Sequence, residues 1–399
     1  VTGAEPTPVG RYVELGLRLG HHIEGFVDAY YGPPEPAARV AAEPPTVPAA
    51  LAADAARLIA DLDGGAGEPS LGADRRRWLR GQVVGLHTSA RKLAGEEVGY
   101  ADEVEQCYGV RPRRRDEADF LDAHRRLAEV LPGSGPLAER YVTWREAQTI
   151  PPEKLRAVID SLAEDFRERT DLLFGLPAGE HVEWQLVTDQ PWSGFNYYLG
   201  GLASRVAINT DLPVLSLSIA HLVAHEAYPG HHTEHTRKEV GLVRGRGLDE
   251  ETIFLVGTPQ CLLAEGLADL GLEILLGQRP ESVVADHLRP LGVPYDPEVA
   301  AAVAVAAEAL NNVRGNVAFL LHEDHASADD AVAYAERWGL VNRARAEKML
   351  QFLTDPTWRA YISCYLEGLP LCRAFAGGDP VRFGRLLDEQ LLPADLAPA

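Results

Sequence analysis

The sequence predicts a mainly α protein: a large helical body with a small β-sheet set next to one histidine-bearing helix. Three observations predict it. Apolar residues recur at three-and-four spacing through most of the 399 residues. One stretch, 181–209, shortens to the alternation typical of strands. Proline and glycine clusters, such as Leu131–Pro136, punctuate the remainder.

In chain order, helices are expected near 50–63, 74–97, 115–131, 136–148 and 152–173, making 1–175 an N-terminal helical region. Residues 176–399 read as the second lobe of one compact unit, carrying the sheet, the histidines and C-terminal helices. Within it HVEWQLV, FNYYLGG and SRVAIN, between His181 and Asn209, predict two or three short strands. DLPVLSLSIAHLVAHEAYPGHH then resumes a helical period, with Thr210 or Asp211 as cap and Pro213 in the first turn. Further helices are expected near 247–277, 280–289, 297–323, 328–338, 343–353, 357–375 and 380–391. No 20–50-residue period recurs, which argues against a solenoid.

Composition narrows the function classes. At 46% apolar and 24% charged, the chain is a folded globule and not a disordered segment. Thirty-eight basic against fifty-nine acidic residues give a net charge of −21, a field that repels phosphate backbones and anionic lipid. Neither nucleic acid nor a membrane is therefore an expected partner. Arg111–Arg115 (RPRRR) runs straight into Asp116, Glu117 and Asp119, the pattern of a solvated helix start. No apolar stretch reaches the ~20 residues that span a bilayer. VTGAEPTPVG shows no basic region followed by an apolar core, and Cys107, Cys261, Cys364 and Cys372 form no CxxC pair. These features predict a cytoplasmic protein with free thiols. Oligomeric state is not expressed in the sequence.

Five of thirteen histidines fall within fifteen residues: His221, His225, His231, His232 and His235. Such a density points to a metal, above all zinc held by two histidines and a carboxylate with a neighbouring Glu acting on water. In HExxH the histidines stand at i and i+4 on one helical face. Here His225-Glu226 fits, but position 229 is Pro and the next histidines lie at i+6 and i+7. On a regular helix i+6 is turned well off the face and raised about 9 Å, and i+7 lies about 10.5 Å along. Two nitrogens on one zinc cannot be so far apart. Pro229-Gly230 is where a kink can return His231 toward His225, with His232 as its rival. The regular pairs His221/His225 and His231/His235 stay open as alternatives, although neither puts a Glu directly after its first histidine.

A third ligand must come from elsewhere. QCLLAEGLADLGLEILLG (260–277) is strongly apolar yet carries Glu265, Asp269 and Glu273 one turn apart. Carboxylates in such a setting need partners. Either they form a solvated stripe, or Glu265 is the metal carboxylate and Asp269 the acceptor that would fix the tautomer of a ligand histidine.

HEAYPGHH (His225–His232) and AEGLAD (Ala264–Asp269) resemble the domain of unknown function 885 family, with its HExxPGHH segment and later EGxA segment. FVDAYYGPPE (Phe26–Glu35) and YLEG (Tyr365–Gly368) look like further family pieces, so the resemblance covers most of the chain. It implies a gluzincin-like zinc metallopeptidase in which His225, His231 and Glu265 hold Zn2+, Glu226 is the base and Asp269 supports a histidine. Two positions depart from the family pattern: Glu234 stands where Gln is common and Leu267 where Trp is common.

The expected reaction is hydrolysis of an amide bond in a peptide or small amide. Tyr361, Tyr365, Arg359 and His322 are candidates for stabilising the oxyanion. Ser204–Asn209, ending on the candidate Asn209, is expected as an edge strand to which an extended peptide adds. Tyr30 and Tyr31 are expected to line the cleft. A non-peptide amide as substrate, or a silent binding protein on a peptidase fold, are the alternatives.

Overall fold

The period-3.6 segments fold into a helical body that carries two small sheets and is built around one central helix. The structure is a computed structural model that describes residues 7–65, 71–190, 192–356 and 358–396. The N-terminal part supplies α1 (Pro8–Gly20), β1 (Val27–Tyr30), α2 (Pro34–Ala42), α3 (Pro48–Asp63), α4 (Ala73–Leu93), α5 (Tyr100–Tyr108), α6 (Glu117–Val130), α7 (Leu137–Glu146) and α8 (Pro152–Phe174). Proline in the first turn opens α1, α2, α3 and α8, and the Thr7 and Asp116 side chains cap α1 and α6. The run Arg111–Arg115 precedes α6 and is taken up by ion pairs: Arg111 with Asp102 at 2.9 Å, Arg114 with Asp324 at 2.6 Å and Arg115 with Glu367 at 3.3 Å.

Strands β2 (His181–Val187), β3 (Gly194–Gly200) and β4 (Ala203–Asn209) form a sheet in the order β2-β4-β3. β4 runs parallel to β2 and antiparallel to β3. It is thus the central strand, which corrects the expectation that Ser204–Asn209 is an edge. The physical reason lies in its pattern, because Val206 and Ile208 are fully buried against α8 and the helix that follows the sheet.

That helix, α9 (Ile219–Glu226), starts later than Thr210 or Asp211. Residues 211–218 form a bend, a one-residue bridge and a turn instead, tied down where Ile150 N–H donates to Val214 O and Ser216 N–H to Gln148 O. Asp211 serves the loop before β3, accepting from the N–H groups of Asp189 and Gln190. α10 (His231–Lys238) follows after a four-residue break. The expected helix 247–277 divides into a 3-10 turn, β5 (Ile253–Leu255) and α11 (Pro259–Leu276), because Gly257-Thr258-Pro259 is a stop followed by a start. β5 pairs with β1 in an antiparallel two-stranded sheet. The remaining helices are α12 (Glu281–Leu288), α13 (Pro297–Ala307), α14 (Val313–His322), α15 (Ala328–Gly339), α16 (Arg343–Thr354), α17 (Ile362–Ala376), α18 (Pro380–Asp388) and α19 (Pro393–Leu396). The single helix expected over 297–323 is broken by a 3-10 turn at Glu308–Asn312, where Asn311 and Asn312 are poor helix formers.

α11 is the centre of the molecule. It is apolar on nearly every side, the mark of a helix covered all round. α9 packs on one side of it and α17 on another. The α17 crossing depends on two glycines. A methyl group at Gly266 would lie 2.5 Å from the carbonyl of Gly368, and one at Gly368 would lie 2.6 Å from the Leu262 oxygen. All four cysteines are buried free thiols. No helix among the described residues is long and apolar enough to cross a membrane.

Candidate metal centre

α9 stops at Glu226 because Ala227 leaves helical geometry and Pro229 has no N–H to continue the ladder. The break folds back on the helix it has left: Gly230 N–H donates to Ala224 O at 2.9 Å, and the Thr233 hydroxyl to Ala227 O at 2.9 Å. Only glycine fits at 230, since a methyl group there would stand 1.9 Å from the His225 carbonyl oxygen. α10 then starts afresh at His231, and the 9 Å offset of a regular helix is removed. His225 Nε2 and His231 Nε2 stand 3.1 Å apart.

Glu265 on α11 closes the triangle. Its carboxylate oxygens lie 3.4 Å from His225 Nε2 and 3.4 Å from His231 Nε2. Oε2 is the oxygen near His225 and Oε1 the one near His231, so the carboxylate faces both imidazoles, each at a distance that one bound metal ion could span. Glu265 Oε2 is buried without a hydrogen-bond partner, as expected for an atom whose natural partner is a cation. Glu226 is adjacent: His225, Glu226 and His231 each offer a ligand atom within 4.8 Å of the others. The cluster can therefore hold a metal ion.

Supports surround these groups. His225 Nδ1 is 2.9 Å from Asp269 Oδ1, which places the other nitrogen toward His231 and Glu265. His221 Nε2 lies 3.3 Å from the same carboxylate, so Asp269 stands between two rings. The trio of His221, His225 and Asp269 also falls within 4.8 Å, but its shortest contact is this Nδ1 bond. Tyr361 Oη donates to Glu265 Oε1 at 2.6 Å, and the Tyr365 ring lies against both Tyr361 and His225. Asn196 on β3 donates to the Glu226 carbonyl at 2.6 Å. Gly194 on the same strand is so close that a methyl group there would lie 3.0 Å from Glu226 Oε1.

The charges are mutually set. Burial alone would raise Glu265, but the two imidazoles outweigh it and hold the carboxyl at about 2. Asp269, against burial, is held well below the usual range by His221 and His225. Burial opposes charge on His225, yet the neighbouring carboxylates of Asp269 and Glu265 lift its pKa, and His231 is lifted chiefly by Glu265. Glu226 differs in sign: burial raises it, with His225 and His231 pulling the other way. Burial, reinforced by Glu265, also keeps Tyr361 and Tyr365 as neutral donors.

The other candidates have partners of their own. His232 is fully buried, with Nδ1 2.8 Å from Ser204 Oγ and Nε2 2.8 Å from Glu180, so neither nitrogen faces the cluster. His235 stacks on Tyr198 at 4.7 Å. His322 Nε2 bonds Leu353 O at 2.7 Å, and Arg359 is committed to Glu103 and the Val98 carbonyl. Asn209 ties the loop before β3, donating to the carbonyls of Gln190 and Trp192 at 2.9 Å. The Tyr30 hydroxyl donates to Pro33 O, and the Tyr31 hydroxyl to Glu251 O. Each of these seven side chains has a partner within the fold. Glu234 forms a buried ion pair with Lys238 at 2.6 Å, and Leu267 is core.

Two charged groups at the centre escaped the sequence reading. Arg314 lies over the Tyr365 ring at 5.4 Å and forms no ion pair among the described residues. Asp28 on β1 is close enough that His231, Glu265 and Glu226 act on its ionisation. Asp28 falls within FVDAYYGPPE, so that segment was a usable signal. Arg314 had none.

No family model matches the chain, and no curated protein matches it. Among solved structures, the fold is similar to one titled the "putative lipoprotein from Colwellia psychrerythraea". The TM-score is 0.50 at 15% identity, over 87% of this chain and 65% of that one. At that identity the likeness concerns the fold alone, and this chain spans less than two thirds of the other's length.

Proposed function

We propose that the protein is a zinc-dependent hydrolase that cleaves amide bonds of short peptides, as the resemblance to the domain of unknown function 885 family implies. One observation carries the reading: two imidazole nitrogens 3.1 Å apart and a buried carboxylate within 3.4 Å of each converge, with a second carboxylate alongside. Zinc held by His225, His231 and Glu265 would supply a Lewis acid that polarises the scissile carbonyl and acidifies water.

The chain's own residues do the rest. Glu226, free of the ligand set and raised by burial, takes the proton of the attacking water and returns it to the leaving amine. Tyr365 offers a neutral O–H to the developing oxyanion, whereas Tyr361 is spent on orienting Glu265. Arg314 adds positive charge on the Tyr365 side. The substrate strand runs along β3, the sheet edge that touches Glu226 through Gly194 and Asn196. Free buried thiols are in keeping with a reducing compartment such as the cytoplasm.

The test is metal analysis of the purified protein together with a short-peptide library, with and without chelator. Cleavage that chelator abolishes and Zn2+ restores, and that Glu226→Gln removes without loss of metal, is the expected result. Bound zinc without cleavage of any peptide would move the substrate to a non-peptide amide. Absence of metal would end the hydrolase reading.

A further inference from the structure

Asp28 is a charged group at the centre to which no role above is assigned. It stands where the β1–β5 register slips: Val27 pairs with Leu255 and Ala29 with Phe254, so Asp28 is the extra residue of a β-bulge. Bulges beside active sites re-aim a side chain. Four groups locate the carboxylate. His231, Glu265 and Glu226 act on it, and it acts in turn on Cys261, one turn before Glu265 on α11. It makes no hydrogen bond or ion pair with any described residue. Asp28 is half-buried, so its carboxylate still reaches solvent, and the packing around it raises its pKa to about 7.

On the neighbouring strand one acceptor is buried and unserved. Asn196 donates its Nδ2 to Glu226 O, leaving Oδ1 buried without a partner, and its strand β3 packs against β1. A solvent-reaching carboxylate without an ion pair among the described residues, beside a strand that carries a buried oxygen without a donor, suits a ligand group that is all donor and positively charged. The polarity of the centre agrees. Asp28 feels the charges of His231, Glu265 and Glu226, whereas Arg314, without an ion pair among the described residues, lies over the Tyr365 ring and feels Tyr365 and Asp269.

We propose that Asp28 binds the free α-amino group of the peptide substrate, so that the bond cleaved lies close to the substrate's N-terminus. The ammonium donates to the Asp28 carboxylate, with Asn196 Oδ1 as the second acceptor. The proposal deepens the hydrolase reading and rests on it for the word substrate. The recognition itself is measurable without turnover.

The experiment titrates Zn2+-loaded Glu226→Gln protein calorimetrically with leucylglycinamide and with N-acetyl-leucylglycinamide. The C-terminal amide removes any carboxylate from the comparison. A charge-assisted contact of this kind predicts roughly 10- to 100-fold tighter binding of the free amine. Adding Asp28→Asn should erase that preference, and Asp28→Glu should restore part of it. Equal affinity for the two peptides overturns the proposal, as does an Asp28→Asn loss shared equally by both, or no binding of either at millimolar concentration. Turnover by the wild-type protein is scored separately. An amine preference without hydrolysis would leave Asp28 as an ammonium site and sink the peptidase reading instead.

Discussion

Asp269→Ala tests the centre most directly, because Asp269 touches a proposed ligand without being one. His225 Nδ1 donates to it at 2.9 Å, fixing the tautomer that leaves Nε2 as an acceptor toward the metal position. A charge-assisted bond of this kind contributes about 1.5–3 kcal/mol. If its loss falls on the bound state, zinc affinity drops by roughly 10- to 100-fold, the range known for such supporting groups. A counter-effect must be separated. Asp269 also lifts the pKa of His225, so its removal eases proton competition for the same nitrogen. Zinc affinity is therefore measured by competition with a chromophoric chelator at two pH values. At the higher pH proton competition fades and the full loss should appear, while at the lower pH it should shrink. Asp269→Asn, which keeps an acceptor oxygen, should fall between wild type and Ala. An Asp269→Ala affinity within about twofold of wild type at the higher pH would refute the idea that this bond orients a ligand.

The other expectations follow from the same geometry. His231→Ala should lose zinc at micromolar concentration, whereas His232→Ala should keep it and lower thermal stability, since His232 bridges Ser204 and Glu180 in the core. Equilibrium dialysis and a melting curve separate the two effects. Zinc uptake should release protons near pH 7 and weaken as pH falls, because His225 and His231, both raised by their carboxylates, must lose protons to bind. Calorimetry in buffers of different ionisation enthalpy reads that release directly. Gly266→Ala should cost about 1–3 kcal/mol, as the added methyl forces α11 and α17 apart. Urea unfolding gives the cost, and a matching fall in zinc affinity would show that Tyr361 has been drawn off Glu265.

Local features were legible in the sequence wherever local chemistry decides. The strands between His181 and Asn209, the Pro229-Gly230 break and the acidic residues on an apolar helix all announce themselves within a few residues. What failed was pairing. β4 reads as a strand, but its central place depends on α8 and α9 covering it, which no window of sequence contains. Asn209, His322 and Arg359 are polar residues near expected functional segments, and each proved committed to a backbone carbonyl or an ion pair. The choice between His231 and His232 turned on which way a helix restarts after the break. Asp28 and Arg314 are hundreds of residues apart in sequence, and each enters the centre through packing of its own element.

The site is thus a property of tertiary structure more than of one motif. In a regular HExxH helix a single element would carry both histidines and set their separation by the pitch. Here α9, α10 and α11 each carry one of the three converging groups, and the separation is set by how the break folds and how α11 packs. That explains why small residues cluster where they do. Gly230 lets the break close on α9, Gly271 lets Pro229 approach α11, and Gly266 with Gly368 seats α17 so that Tyr361 reaches Glu265. Each removes a side chain exactly one contact away from a converging group or its support. A substitution at these glycines should therefore lower zinc affinity even though none of them can bind the ion, and that dependence distinguishes a three-helix centre from one carried on a single helix.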